Sequence, residues 1–266
     1  MKTLGIIGCG AMGSAIAQSL QDSVLLYDSD VEKARSLEKQ GKRTAVASLK
    51  ELMKRSDCLL IAVKPQILAT LYDQLREHGS AEKTWISIAA GVSLETLSEK
   101  LGTDEVVRFM PNIAAQMQAS VTAIASSARC STEHLSYAQQ VARSFGSAFI
   151  LPESQFGAFI GISGSAIAYI LQFYHALAMG GVAQGIAYPT ALNIALETAK
   201  SAANLTLGTG KNPVDLATTV CSAGGTTIEG MLALAEGGFD ATVMQAVRKA
   251  SEKSSKLEAL AKDAKR

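Results

Sequence analysis

Along the first half of the chain, short continuous apolar runs alternate with segments whose apolar residues recur at helical spacing. TLGIIG (3–8), SVLLYD (23–28), TAVA (44–47), CLLIAV (58–63), TWISIA (84–89) and EVVRFM (105–110) predict buried strands, being too short for buried helices. Between them AMGSAIAQSLQ, VEKARSLEKQ, LKELMKR, ILATLYDQLREH and LETLSEKLG predict amphipathic helices. Ser48 and Glu51 stand at capping-box spacing ahead of the third of these. Strands and helices joined by short connections predict a mainly parallel sheet covered on both faces. SVTAIAS (120–126), a helix over STEHLSYAQQVARSFG, and SAFILP (147–152) complete a first domain assigned to residues 1–152.

After Pro152 the pattern changes. Strand signals stop, and helical segments are expected at about 154–186, 189–207, 213–220, 226–236 and 240–263, so 153–266 reads as an all-α domain. Thr226 and Glu229 form a second S/T-x-x-E pair, which predicts a capped helix beginning near Thr227. From Ser154 to Leu196 there is no Asp, Glu, Lys or Arg. A membrane span needs about 20 mainly apolar residues. Ser163, Ser165, Gln172, Tyr174, His175, Gln184 and Asn193 interrupt this run, so the expectation is no membrane but helices buried all round against another subunit, a homo-oligomer.

Composition narrows the functional classes. The formal net charge is +1 with no block of basic residues, and a nucleic-acid footprint needs a concentrated basic face. The four cysteines (Cys9, Cys58, Cys130, Cys221) are widely spaced and read as reduced thiols of a cytoplasmic protein. Of three histidines none has a second at metal spacing, so no metal site is expected. IIGC near the N-terminus resembles a processing signal, but too few apolar residues precede the cysteine.

Two glycine clusters carry the candidate chemistry. Gly8, Gly10 and Gly13 make GxGxxG between the first strand and the first helix. The first permits the tight turn, the second lets backbone approach a pyrophosphate, and the third lets the helix pack closely on the sheet. Ile7, Gly8, Cys9, Gly10, Ala11 and Met12 are thus expected to bind a dinucleotide, NADPH or NADH, with its phosphates at the helix start. Asp28 ends the second strand where an acid holds the adenosine ribose, with Ser29 next to it. Its carboxylate favours NAD, while nearby Lys33 and Arg35 would admit NADP if Asp28 rotated away. AVKPQ puts Ala62, Val63, Lys64 and Pro65 on the same rim, and SIAAG and RFMPN add Ala90, Met110 and Asn112. The second cluster, CSAGGTTIEGM (221–231), places side-chain-free amides at a helix start, a site sized for a carboxylate. A capped helix with no ligand reads equally from these residues alone.

GIIGCGAMG, AVKPQ, SIAAGV, MPN, SGSAIAY (163–169) and CSAGGTTIEGM occur in the order and spacing of the pyrroline-5-carboxylate reductases, a family the chain resembles from residue 3 to about 255. The resemblance implies an α/β, Rossmann-type doubly wound sheet followed by an all-α dimerisation domain that interlocks with its twin. It implies reduction of 1-pyrroline-5-carboxylate to L-proline, with Ser222, Gly224, Gly225 and Thr226 cradling the substrate carboxylate beside the partner's nicotinamide. Thr227 would bond the ring nitrogen. The chain departs from the family at Ala114, Ile167 and Ala223, where proline is usual. Two rival readings stand beside it: a β-hydroxyacid dehydrogenase, for which Lys200 and Asn204 supply a KxxxN pair, and a non-catalytic dinucleotide sensor.

Overall fold

The computed structural model describes residues 2–38 and 42–263, and two compact units divide it: residues up to Gly164 together with those from Ser251 onward, and Ser165–Ala250. The ends of the expected VEKARSLEKQ helix and of the charged tail lie outside the described residues.

In the first unit eight strands form one sheet: β1 (Leu4–Ile7), β2 (Val24–Tyr27), β3 (Arg43–Ala45), β4 (Cys58–Ile61), β5 (Thr84–Ser87), β6 (Val106–Met110), β7 (Ser120–Ser126) and β8 (Gly146–Ile150). Their order is β3-β2-β1-β4-β5-β6-β7-β8. Pairing is parallel throughout except between β6 and β7. The crossovers contain α1 (Ala11–Ser19), α2 (Val31–Glu38), α3 (Leu49–Arg55), α4 (Pro65–Glu77) and α5 (Leu94–Leu101), and α6 (Thr132–Arg143) joins β7 to β8. This is the doubly wound arrangement, with its reversal of strand order between β1 and β4.

Alternation along the strands explains the two cores. Ile7, Leu25, Leu59, Ile61 and Trp85 face one side of the sheet, and Leu4, Ile6, Leu26, Leu60 and Ile86 face the other. Each such fully buried aliphatic side chain contributes about 1.5–3 kcal/mol. The start of α3 is set by local chemistry. Ser48 caps α3 by accepting from the Glu51 amide at 3.1 Å, as expected, but the Glu51 carboxylate reaches one residue further back, to the Ala47 amide at 3.1 Å.

A buried charge sits in this unit. Arg108 of β6 is 2% exposed and lies over the Phe156 ring, its carbon 5.0 Å from the ring centroid. Its guanidinium donates to Glu153 at 2.6 Å and to Glu258 at 3.0 Å, and Glu153 also accepts from the Leu94 amide at 2.9 Å.

The long helix expected at 154–186 is not uniform. A short turn, α7 (Phe156–Phe159), runs into a wider π turn at Ile160–Gly164 before α8 (Ala166–Ala183) begins. The second unit continues with α9 (Tyr188–Thr209), α10 (Pro213–Val220), α11 (Thr226–Glu236) and α12 (Phe239–Asp263), whose final turns belong to the first unit. The stretch Glu153–Ala183 is long and apolar enough to cross a membrane by length and composition. Ile170, Leu171, Leu177, Met179 and Ile194 are exposed on α8 and α9.

Candidate functional site

Register brings the first set of residues to one rim. Ile7 pairs with Tyr27 on one side and Ile61 on the other, and Ile61 pairs with Ser87. The residues that follow, Gly8, Asp28 and Ala62, therefore leave the sheet side by side at its carboxyl edge. The Gly8 amide donates to the Tyr27 carbonyl at 2.8 Å and the Ala62 amide to Ile7 at 2.8 Å, so the strand ladder runs into the turn.

The three glycines have different reasons. Gly8 has φ +102°, and a β-carbon there would meet the Val63 methyl at 2.7 Å and the Ala62 carbonyl oxygen at 2.8 Å. A β-carbon on Gly13 would collide with the Gly8 carbonyl oxygen, so α1 lies against the turn at a distance only glycine allows. At Gly10 a β-carbon would meet nothing within 4 Å. Gly10 is the N-cap of α1 without a side-chain cap bond, which leaves the helix's first amides for an anion. A closed turn, a closely docked helix and an open middle glycine fit a dinucleotide pyrophosphate.

Ala11 and Gly10 are exposed, Met12 half-buried, and Ile7 and Cys9 buried. Cys9 contributes backbone: its amide donates to Asp28 Oδ2 at 2.7 Å and its carbonyl accepts from the Ser14 hydroxyl at 2.8 Å. Burial, with the Asp28 charge beside it, pushes the Cys9 thiol up to about 12. The Asp28 carboxylate also accepts from the Asp30 amide at 2.9 Å, and Ser29 is exposed between them. Neither amide bond to Asp28 was foreseen; its position beside the turn was the available signal.

On β4's side of the rim, Lys64 is the exposed N-cap of α4, and Pro65 occupies its first turn; Ala62 and Val63 are half-buried. Ala90 is exposed beside Gly91, which has φ +72°. Met110 is half-buried at the end of β6. Asn112 differs in kind: it is 4% exposed, and its amide group is engaged within the protein. Its Oδ1 accepts from the Ala114 amide at 3.2 Å and its Nδ2 donates to the Ser163 hydroxyl at 3.2 Å, which in turn donates to the Val121 carbonyl at 3.3 Å. Ser163 was not expected to meet Asn112, although each belongs to a signature noted above, MPN and SGS.

In the second unit the 221–227 loop is a tight turn into α11. The Gly225 amide donates to the Ser222 carbonyl at 3.0 Å, with Gly224 at φ +68° inside the turn. The expected Thr226–Glu229 box is corrected here: Gly225, in extended conformation, is the N-cap, and no side chain caps the helix. Because the turn closes one residue early, Thr226 is already helical and its hydroxyl is no longer in the cap position. Ser222, Gly224 and Thr226 are exposed, and Gly225 and Thr227 half-buried, so α11 presents its first amides from an open loop. Lys200 is exposed on α9 and pairs with Glu197 at 3.3 Å.

Comparison with known proteins bears on the whole chain. A family model described as pyrroline-5-carboxylate reductase dimerisation matches residues 153–257, and one described as NADP oxidoreductase coenzyme F420-dependent matches residues 3–91. The pyrroline-5-carboxylate reductase of Escherichia coli is 34% identical over 264 residues, covering 96% of this chain and 98% of that protein. The crystal structure of the Streptococcus pyogenes enzyme of the same name is 32% identical, covers 95% of this chain and 98% of that one, and superposes with a TM-score of 0.80. The Plasmodium falciparum pyrroline carboxylate reductase, solved with NADP bound, is 26% identical over 97% of this chain and 98% of its own, with a TM-score of 0.81. With eight strands in this order, an all-helical second part and relatives matching from end to end, the chain belongs to the pyrroline-5-carboxylate reductase family.

Proposed function

We propose that this chain reduces 1-pyrroline-5-carboxylate to L-proline, the last step of proline biosynthesis, with NADPH or NADH as the reductant. The reading rests first on end-to-end identity of 34% to a pyrroline-5-carboxylate reductase. It rests also on two helix starts that no side chain caps, one in the Gly8–Gly13 turn and one in the GGTT turn.

Residues 1–152 hold the dinucleotide: Ile7 to Met12 its phosphates, Asp28 and Ser29 its adenosine ribose, and Ala62 to Pro65, Ala90, Met110 and Asn112 its nicotinamide half. Bound reduced nicotinamide supplies a hydride. Residues 153–266 form the dimerisation and substrate domain, and the exposed apolar side chains of α8 and α9 are the surface a second copy covers. Ser222, Gly224, Gly225 and Thr226 hold the substrate carboxylate with amide and hydroxyl donors, where the α11 dipole adds to the attraction. Thr227, in the first turn of the same helix, bonds the ring nitrogen and fixes which face of the imine is presented.

A protonated C=N accepts hydride without a strong general acid, so positioning carries the catalysis, and positioning of this kind supplies several kcal/mol. The enzyme works in the cytoplasm as a homo-oligomer, free of membrane and nucleic acid.

The test is direct. Oxidation of reduced nicotinamide should proceed with 1-pyrroline-5-carboxylate, and hydroxyacids should not drive the reverse reaction. Thr227→Ala should lower kcat about tenfold or more, the rate equivalent of one hydrogen bond of about 1.4 kcal/mol. No turnover by the native chain rejects the function, and unchanged kcat in the variant removes Thr227 from it.

A further inference from the structure

We infer that Asp28 makes this chain an NADH enzyme that discriminates against the 2′-phosphate of NADPH. The inference rests on the dinucleotide reading of the Gly8–Gly13 turn and goes beyond it by choosing the coenzyme.

Asp28 follows β2 directly, and the Ile7–Tyr27 register places it beside Gly8. Two amides hold its carboxylate there, Cys9 on one oxygen at 2.7 Å and Asp30 on the other at 2.9 Å. Rotating the side chain away, the move that would admit NADP, breaks both charge-assisted bonds. Each oxygen keeps further acceptor capacity, which matches the two vicinal hydroxyls of an unphosphorylated ribose.

The neighbouring cations do not reverse the sign. Lys33 pairs with Asp30 at 3.4 Å and Arg35 with Glu32 at 3.2 Å. These are exposed pairs, weak enough to open. Opening them toward a phosphate nevertheless leaves Asp28, Asp30 and Glu32 as three carboxylates against two cations, around a group that itself carries about −1.5 to −2. Like charges crowded at the end of β2 oppose the 2′-phosphate, whereas a hydroxyl there gains a carboxylate acceptor.

The test measures binding apart from turnover. NADH and NADPH are titrated by nucleotide fluorescence against the native chain, Asp28→Ser and Asp28→Asn, without substrate. AMP and adenosine 2′,5′-bisphosphate then compete for the adenosine end. The native chain should bind NADH at least about tenfold more tightly than NADPH and AMP more tightly than the bisphosphate. Both variants should lose most of that ratio, chiefly by improved binding of the 2′-phosphorylated ligands. Equal or tighter NADPH binding by the native chain, or an unchanged ratio in the folded variants, overturns the inference, and so does failure of NADH to bind. Selective NADH binding without reduction of 1-pyrroline-5-carboxylate leaves it standing and rejects the proposed function instead. Imine reduction with NADPH preferred does the reverse.

Discussion

Asn112, after β6, donates its side-chain amide to the hydroxyl of Ser163 at 3.2 Å, joining a loop of the sheet to the π turn that precedes α8. Both residues are buried, and the same serine carries on to the Val121 carbonyl. The link belongs to a buried polar cluster, since the Asn112 backbone amide also donates to the Ser120 hydroxyl at 3.2 Å and Ser120 bonds Thr122 at 3.0 Å.

Asn112→Ala should therefore cost about 1–3 kcal/mol, the desolvation penalty of the partners it abandons. Ser163→Ala should cost less, since one hydroxyl is lost where the Asn112 side-chain amide group serves Ser163 and the backbone amides of Ala114 and Val121. Urea unfolding of the two single variants and the double variant would measure the coupling, expected at about 1 kcal/mol; strict additivity would show the contact to be energetically idle.

Gly13→Ala should displace α1. Its β-carbon has no room beside the rigid Gly8 carbonyl, and the Ala62 β-carbon would lie 3.1 Å away. Overpacking of this kind costs about 1–3 kcal/mol. Since the same movement shifts the helix's first amides, nucleotide binding should weaken about tenfold or more in a fluorescence titration. Gly10→Ala, with open space around its β-carbon, should destabilise the fold far less while still obstructing the nucleotide.

Arg108 gives a prediction about a charge inside the protein. Arg108→Met should lower stability by about 3 kcal/mol, because Glu153 and Glu258 then face each other without the cation. Glu258→Gln should cost about 1 kcal/mol, as its side chain is a third exposed and Glu153 remains in place. Thermal unfolding of both variants tests the order.

His134 should make stability fall in mild acid. The side chain is fully buried, its Nε2 donates to the Trp85 carbonyl at 3.0 Å, and desolvation holds its pKa below the ordinary histidine value. Above that ordinary value, about 6.5, neither folded nor unfolded chains carry the proton. As pH drops through it, the unfolded chain takes up a proton that the folded chain refuses, so stability is lost progressively until the lower folded pKa is reached. His134→Gln should flatten the difference between urea midpoints measured at pH of about 7.5 and 5.5; an unchanged slope assigns the loss to other groups.

The eight strands and the helices from residue 188 onward were legible because hydrophobic period and the glycines and prolines between segments pointed to the same elements. The glycine turn was legible for the same reason: Gly8, Gly10 and Gly13 do separate jobs that spacing alone defines. Three features were not. The cap of α11 went to Gly225, since a turn closed by a backbone bond from Gly225 to Ser222 outranks a side-chain pattern at Thr226. Arg108 looked like one charged residue in an apolar strand, and its partners lie 45 and 150 positions away. The π turn at 160–164 lies in a run without charged residues that reads as one continuous helix.

The thiol of Cys9 lies within the Gly8–Gly13 turn, where burial and the Asp28 charge push it up to about 12, so it is protonated at neutral pH. Alkylating reagents and peroxide attack thiolates. The Cys9 thiol should thus resist alkylation and oxidation, and purification without added reducing agents should leave the Gly8–Gly13 turn intact.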